Sequence, residues 1–140
     1  MKYILNKGLD NCPEAVDIRK RVFIEEQGFT DEFDKLDRSA YHAVVFVKDQ
    51  HAATGRLFSD KNGIAHIGRV AVLPDFRKMS LGSLIIAILE KKAAELNFIS
   101  TELSAQVRVM DFYTKLGYTP VGEEYPDQGC PHIKMIKLLR

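Results

Sequence analysis

A chain of 140 residues with 46% hydrophobic and 28% charged side chains has room for one core and the composition of an ordinary globular domain. Its 20 Lys and Arg against 19 Asp and Glu exclude the basic excess of a dedicated nucleic-acid binder, and no apolar run nears the roughly 18 residues of a membrane span. The start, Met1-Lys2-Tyr3-Ile4-Leu5-Asn6, lacks a signal peptide's apolar core, so the expected location is cytoplasmic.

Residues 2–6 read as a first strand. Asn11 is placed to cap a helix whose first turn takes Pro13. Ala15, Ile18 and Val22 give that helix an apolar stripe through Glu25, and Gly28 ends it. Cys12 and Cys130 show no CxxC or metal spacing and are expected as free thiols. Residues 29–39 mix Phe29, Phe33 and Leu36 with acids, too apolar for a disordered linker; they read as a packed loop or short helix. Asp31, Glu32, Asp34 and Asp37 leave two readings open, an attractor for a cationic ligand or a solvated surface.

Residues 41–47 and 53–58 read as strands joined by a tight turn at Asp49-Gln50. Asp60-Lys61-Asn62-Gly63 is a second turn, with Asn62 and Gly63 expected at positive φ. Ile64, Ile67, Val70 and Val72 mark a third antiparallel strand, which Pro74 ends because it has no N–H. After the loop Arg77-Lys78-Met79-Ser80-Leu81-Gly82, the residues Leu81, Leu84, Ile85, Ile88, Leu89, Ala93 and Leu96 recur at helical spacing. A helix start offers unpaired N–H groups and partial positive charge. Small residues and the cations Arg77 and Lys78 make residues 78–82 a candidate phosphate or diphosphate site, with plain connection as the alternative.

Residues 98–105 read as a strand parallel to the Ile64 strand through a right-handed crossover. Val109, Phe112, Tyr113 and Leu116 mark a helix stopped by Gly117. Residues 118–123 and 133–138 look like a final hairpin with residues 125–131 as its connection. The sum is one α+β domain over residues 1–140, a central mixed, mostly antiparallel, twisted sheet flanked by helices.

The stretch Gly68-Arg69-Val70-Ala71-Val72-Leu73-Pro74-Asp75-Phe76-Arg77 through Gly82 resembles motif A of the GNAT N-acetyltransferase superfamily, whose loop reads Arg/Gln-x-x-Gly-x-Gly/Ala. Arg77 and Gly82 match; Ser80 stands where the first glycine is usual, and a negative φ there would keep phosphate docking intact. Asp111-Phe112-Tyr113-Thr114-Lys115-Leu116-Gly117-Tyr118, after Leu103-Ser104-Ala105-Gln106, resembles the family's Phe-Tyr-x-x-x-Gly-Phe signature. Arg19, Val22-Phe23, Glu25-Glu26-Gln27, Asp37, His42 and Asp127-Gln128-Gly129-Cys130-Pro131-His132 resemble the bacterial ElaA/YjcF-type subgroup.

The resemblance implies the acyl-CoA N-acyltransferase fold, acetyl-CoA as cosubstrate, no metal, and an amine acceptor. The main chain at Val70, Ala71 and Val72 would pair with the pantetheine arm like an added strand and hold the oxyanion. Arg77, Lys78, Met79, Ser80, Leu81, Gly82 and Ser83 would hold the diphosphate, with Gln106 and Phe112 also at the cofactor. Tyr113 matches the general acid for the departing thiolate, core packing being the alternative. Many relatives carry a Glu where this chain has Gly68, which leaves the base open. Glu26 is the first candidate; His132, His66 and His42 follow, His132 on a loop that borders the acceptor in relatives. Gly68 itself reads as a bulge that splays the strand or as a tolerated glycine. Arg69 reads as a ligand for an acceptor anion or as half of a structural ion pair. The implied reaction is direct attack in a ternary complex, moving an acetyl group to a primary amine, a small-molecule amine ahead of a protein or peptide one. The alternative from another class is a non-catalytic acyl-CoA-binding sensor. Nucleic acid and membrane are not expected as partners; a homodimer is left open.

Overall fold

The computed structural model describes residues 1–30 and 32–139. Among them seven strands form one sheet in the order β1-β2-β3-β4-β5-β7-β6. These are β1 (Lys2–Lys7), β2 (Tyr41–Val47), β3 (Gln50–Ser59), β4 (Ala65–Val72), β5 (Ser100–Gln106), β6 (Thr119–Asp127) and β7 (Cys130–Leu138). Only β4 and β5 run parallel. The mixed, mostly antiparallel sheet expected from the sequence is therefore present. No described helix is long and apolar enough to cross a membrane.

One face carries α1 (Pro13–Arg19), which continues as a wider π-helical turn over Lys20–Glu26. Its stripe Ala15, Ile18, Val22 and Phe23 packs on Val44, Ala71 and Leu73. Pro13 sits in the first turn as expected, but Asn11 is not the cap: Cys12 holds that position. The Asn11 amide donates instead to the Lys7 carbonyl at 2.8 Å, tying the end of β1 to the chain before the helix.

The other face carries α2 (Leu81–Glu95) and α3 (Met110–Lys115). Leu81, Ile85, Ile86, Ile88, Leu89 and Ala93 are buried there, each large one contributing about 1.5–3 kcal/mol. Ile86 was not on the expected stripe yet is buried, while Leu84 and Leu96, which were on it, are exposed. Gly55 lets α2 approach β3 closely: a Cβ there would stand 2.5 Å from Ile85 Cγ2.

Three turns differ from expectation. Lys48 and Asp49 make the β2–β3 turn, since Gln50 already pairs with Val47. At residues 60–63 only Gly63 is left-handed; the Asp60 carboxylate accepts the Asn62 and Ile64 N–H groups at 2.8 and 3.0 Å and organises the turn itself. The long connection at residues 125–131 does not exist. β6 and β7 run on to a tight turn at Gln128-Gly129, both left-handed. Pro126 and Pro131 lie opposite each other, so neither removes a ladder N–H that the other strand needs.

Candidate functional site

The site starts from a defect in the sheet. Between Arg56↔Gly68 and Thr54↔Ala71, two β4 residues, Arg69 and Val70, stand opposite Gly55 alone. That is a bulge, and Arg69 takes φ +50 in it. On the other edge, β4 pairs with β5 only at Ala65↔Thr101 and His66↔Glu102. β5 continues along β7 as far as Gln106↔His132. Beyond His66 the two parallel strands part, and the β4 edge at Val70, Ala71 and Val72 faces a gap. Gly68 flanks the bulge without being left-handed itself.

At the wide end of the gap, Pro74–Phe76 turns the chain into the loop before α2. Lys78 and Ser80 both lie in the left-handed region, at φ +71 and +60. The negative φ that would have suited Ser80 is not found; it adopts the conformation that glycine fills more cheaply. α2 begins with no side-chain cap, so its first amides are available. Phe112 packs on this start, with its Cζ 3.3 Å from where a Gly82 Cβ would be. The side chains of Ala71 and Leu81 are buried in the core, so only their main chain can serve a ligand. Met79 is exposed.

Arg77 opens this loop. Its Nε donates to the Val72 carbonyl at 3.0 Å. Its Nη1 and Nη2 donate to the two Glu26 carboxylate oxygens at 2.8 and 2.7 Å. The Arg77 bonds hold the Glu26 carboxyl below its usual range, which makes Glu26 a poorer base than the sequence implied.

Tyr113 is half-buried, edge-on to Phe112 and Tyr118 at ring distances of 5.0 and 6.1 Å. Burial pushes its phenol up to about 12. No protein group among the described residues hydrogen-bonds its hydroxyl. His132 is buried on β7 beside Gln106, and its Nδ1 lies 2.9 Å from the Cys130 carbonyl. A carbonyl only accepts, so Nδ1 is the donor of this bond, and in a neutral ring the lone pair then lies on Nε2. The Gln106 amide meets Gln27 from the π turn at 3.5 Å and accepts from Arg108 at 2.7 Å.

The other histidines lie elsewhere. His66 Nε2 is 2.7 Å from Asp60, and its ring stacks on Phe58. His42 is fully buried, its Nε2 3.0 Å from the Asp37 carbonyl, and burial pushes it down. Asp31 lies outside the described residues. The rest of the acidic segment is neither a free attractor nor a solvated face. Arg19 donates to Glu32 at 2.7 Å and to Asp37 at 2.8 Å, and Arg56 to Asp34 at 2.7 Å and Asp37 at 2.9 Å. Arg69 lies 3.2 Å from Glu32, which makes it part of a structural ion network. Arg19, which entered the sequence reading only through the subgroup resemblance, and Arg56, which did not enter it, are both buried; an arginine inside a buried strand, Gly55-Arg56-Leu57, was the available signal for the second. Ser104 and Tyr125 also share a short hydrogen bond on this side of the gap.

A family model described as an acetyltransferase (GNAT) domain matches residues 10–139. The chain is 33% identical over 140 residues to the uncharacterized N-acetyltransferase YjcF of Bacillus subtilis, covering 98% of this chain and 99% of that one. The crystal structure of Escherichia coli ElaA has a TM-score of 0.84 at 24% identity, covering 97% of this chain and 98% of that one. An aminoglycoside 6'-N-acetyltransferase solved with coenzyme A shares the fold at a TM-score of 0.73 and 16% identity, covering 98% and 97%.

Proposed function

This chain belongs to the GNAT acetyltransferase family, in the group of YjcF and ElaA, and from that premise we propose that it acetylates a small-molecule primary amine with acetyl-CoA. The observation that carries the proposal is the parting of β4 from β5 after His66↔Glu102, with an uncapped helix start at the wide end and, packed on that start, Phe112, whose ring is edge-on to Tyr113. The coenzyme A held by the aminoglycoside enzyme of the same fold supports the donor.

In this reading the unpaired edge at Val70, Ala71 and Val72 takes the pantetheine arm as an added strand. The main chain at residues 78–83 takes the diphosphate. The acceptor attacks in a ternary complex. A lysine-like amine has a pKa of about 10.4, so freeing its lone pair at pH 7 costs roughly 4–5 kcal/mol. His132 Nε2 accepts that proton, and takes the role of base in preference to Glu26, whose carboxylate is committed to Arg77. The amine nitrogen bonds to the acyl carbon, and the carbon–sulfur bond breaks.

Tyr113 meets the departing sulfur. Its phenol at about 12 stays protonated. A thiol of about 8.5 lies roughly 3.5 units lower, so full transfer to an ordinary thiolate would be uphill by about 5 kcal/mol. Tyr113 therefore acts mainly as a hydrogen-bond donor until burial raises the sulfur's own proton affinity. Its contribution then belongs at the low end of acid catalysis, about 10²-fold.

The fastening of residues 32–38 by Arg19 and Arg56 favours a small acceptor, since that segment does not fold back to admit a protein chain. The test is thiol release from acetyl-CoA across amino sugars, polyamines, amino acids and peptides. The reading expects turnover with at least one small amine, about 10²-fold slower in Tyr113→Phe. Coenzyme A binding without transfer to any amine would favour an acyl-CoA sensor; turnover with peptides alone would favour a protein acceptor.

A further inference from the structure

The motif that names Arg77 as a ligand for the diphosphate leaves Glu26 unexplained. In the structure Arg77 has three nitrogens engaged, one on the last carbonyl of β4 and two on the carboxylate that ends the π turn. A bidentate guanidinium–carboxylate pair is directional, and it fixes the planes of both groups. Arg77 thereby joins three elements at one point: the end of β4, the end of the α1 π turn and the start of the loop.

That loop needs holding. Lys78 and Ser80 both carry side chains in the left-handed region, at φ +71 and +60. Such residues cost energy and persist only where the surroundings impose them. Among the described residues no side chain caps α2, and the Arg77 fork is the tie immediately preceding the strained pair.

We propose, resting on the coenzyme A reading above, that Glu26 and Arg77 form a positioning pair: Glu26 holds the Arg77 fork, the fork fixes the loop, and the loop's amides are thereby aimed at the diphosphate. Arg77 acts through this geometry and not by giving its charge to the phosphates. Glu26 is then a determinant of donor affinity although it touches no part of the donor.

Both side chains are about two-fifths exposed, at 41% and 40%, so breaking the pair does not threaten the fold. Three variants decide the matter by calorimetric titration with coenzyme A, with melting temperature as the control. Glu26→Gln removes the carboxylate charge and leaves Arg77 free. Arg77→Lys keeps the cation and loses the fork. The double variant closes the cycle. The proposal expects each single variant to weaken coenzyme A binding about 5- to 10-fold, with the double variant no worse than the singles and melting temperatures unchanged. If Glu26→Gln binds coenzyme A as tightly as the parent or tighter, Glu26 was only withholding Arg77 from the phosphates, and the proposal fails. If the two losses multiply in the double variant, the residues act separately and it fails as well. A parent protein that binds no coenzyme A would instead sink the functional reading itself.

Discussion

Ser80 shows how a single dihedral records the purpose of a loop. A left-handed conformation costs an L-residue roughly 1–2 kcal/mol, and glycine recovers part of that while adding about 0.5–1 kcal/mol of unfolded-state entropy. Ser80→Gly should therefore raise stability by about 0.5–1 kcal/mol, read as a higher denaturant midpoint at constant slope. An unchanged or lower midpoint would mean that Ser80 is not strained at its φ of +60. The same dihedral explains why the motif was legible: a turn that brings amides to a point asks for small residues, and Ser80 and Gly82 carry that demand in the sequence. Tyr113 was legible for a similar local reason, its place in a short helix bounded by Gly117 at φ +99. His132 was legible as a residue type and, through the resemblance, by its place after Gly129-Cys130-Pro131. What suits it to the proposed role of base is the Cys130 carbonyl two residues away, and that depends on a strand that the two prolines disguised as a loop.

At the scale of elements, the buried ion network fastens residues 32–38 to β3 and α1. Burial alone would raise the Asp37 carboxyl. The Arg19 hydrogen bond, the Asp34 N–H and the charges of Arg19 and Arg56 outweigh that and lower it from 3.8 to about 2. A carboxyl lowered by folding stabilises the protein above its unfolded value and loses that contribution as pH falls through the folded one. The difference is about 2 kcal/mol, lost between roughly pH 5 and pH 1. Burial pushes Glu32 the other way despite its arginine partners, so protonating it offsets part of the loss. The melting temperature should fall between pH 5 and pH 2.5 in the parent, with a shallower fall in Asp37→Asn. Identical slopes in the two proteins would remove Asp37 from the acid limb. Of this network only Arg69 was readable beforehand, in one of its two readings as half of a structural ion pair; the rest was not, because its members lie 13 to 37 residues apart and only the fold brings them together. The apolar periodicity of α2 was readable, since it is set by neighbours within one element.

At the scale of the molecule, two helical layers clamp a sheet that is continuous except between β4 and β5. α1 and its π turn lie on one face and α2 with α3 on the other, so the gap opens to both layers. The phenol of Tyr113 belongs to the α2 side, while Gln27 of the π turn reaches Gln106, the cross-strand partner of His132. In the proposed reaction, donor departure and acceptor activation would then fall to different elements around one break in the hydrogen-bond ladder. The antiparallel run β2-β3-β4, the parallel β5 and the helix between β4 and β5 followed from the chain; the places of β1 beside β2 and of β7 beside β5 did not. The bulge, expected at Gly68 as one of two readings, lies next to it at Arg69 and Val70, because a bulge is a relation between two strands and leaves only a faint mark in either.

The central claim is that the donor lies in the parting of β4 and β5. The most direct measurement is a crystal structure of the protein with coenzyme A. The account predicts the diphosphate on the amides of residues 78–83, the pantetheine arm paired with Val70 to Val72, and the sulfur within about 3.5 Å of the Tyr113 hydroxyl, a hydrogen-bond distance for sulfur. A coenzyme bound elsewhere on the sheet, or in the gap with its sulfur turned away from Tyr113, would contradict it.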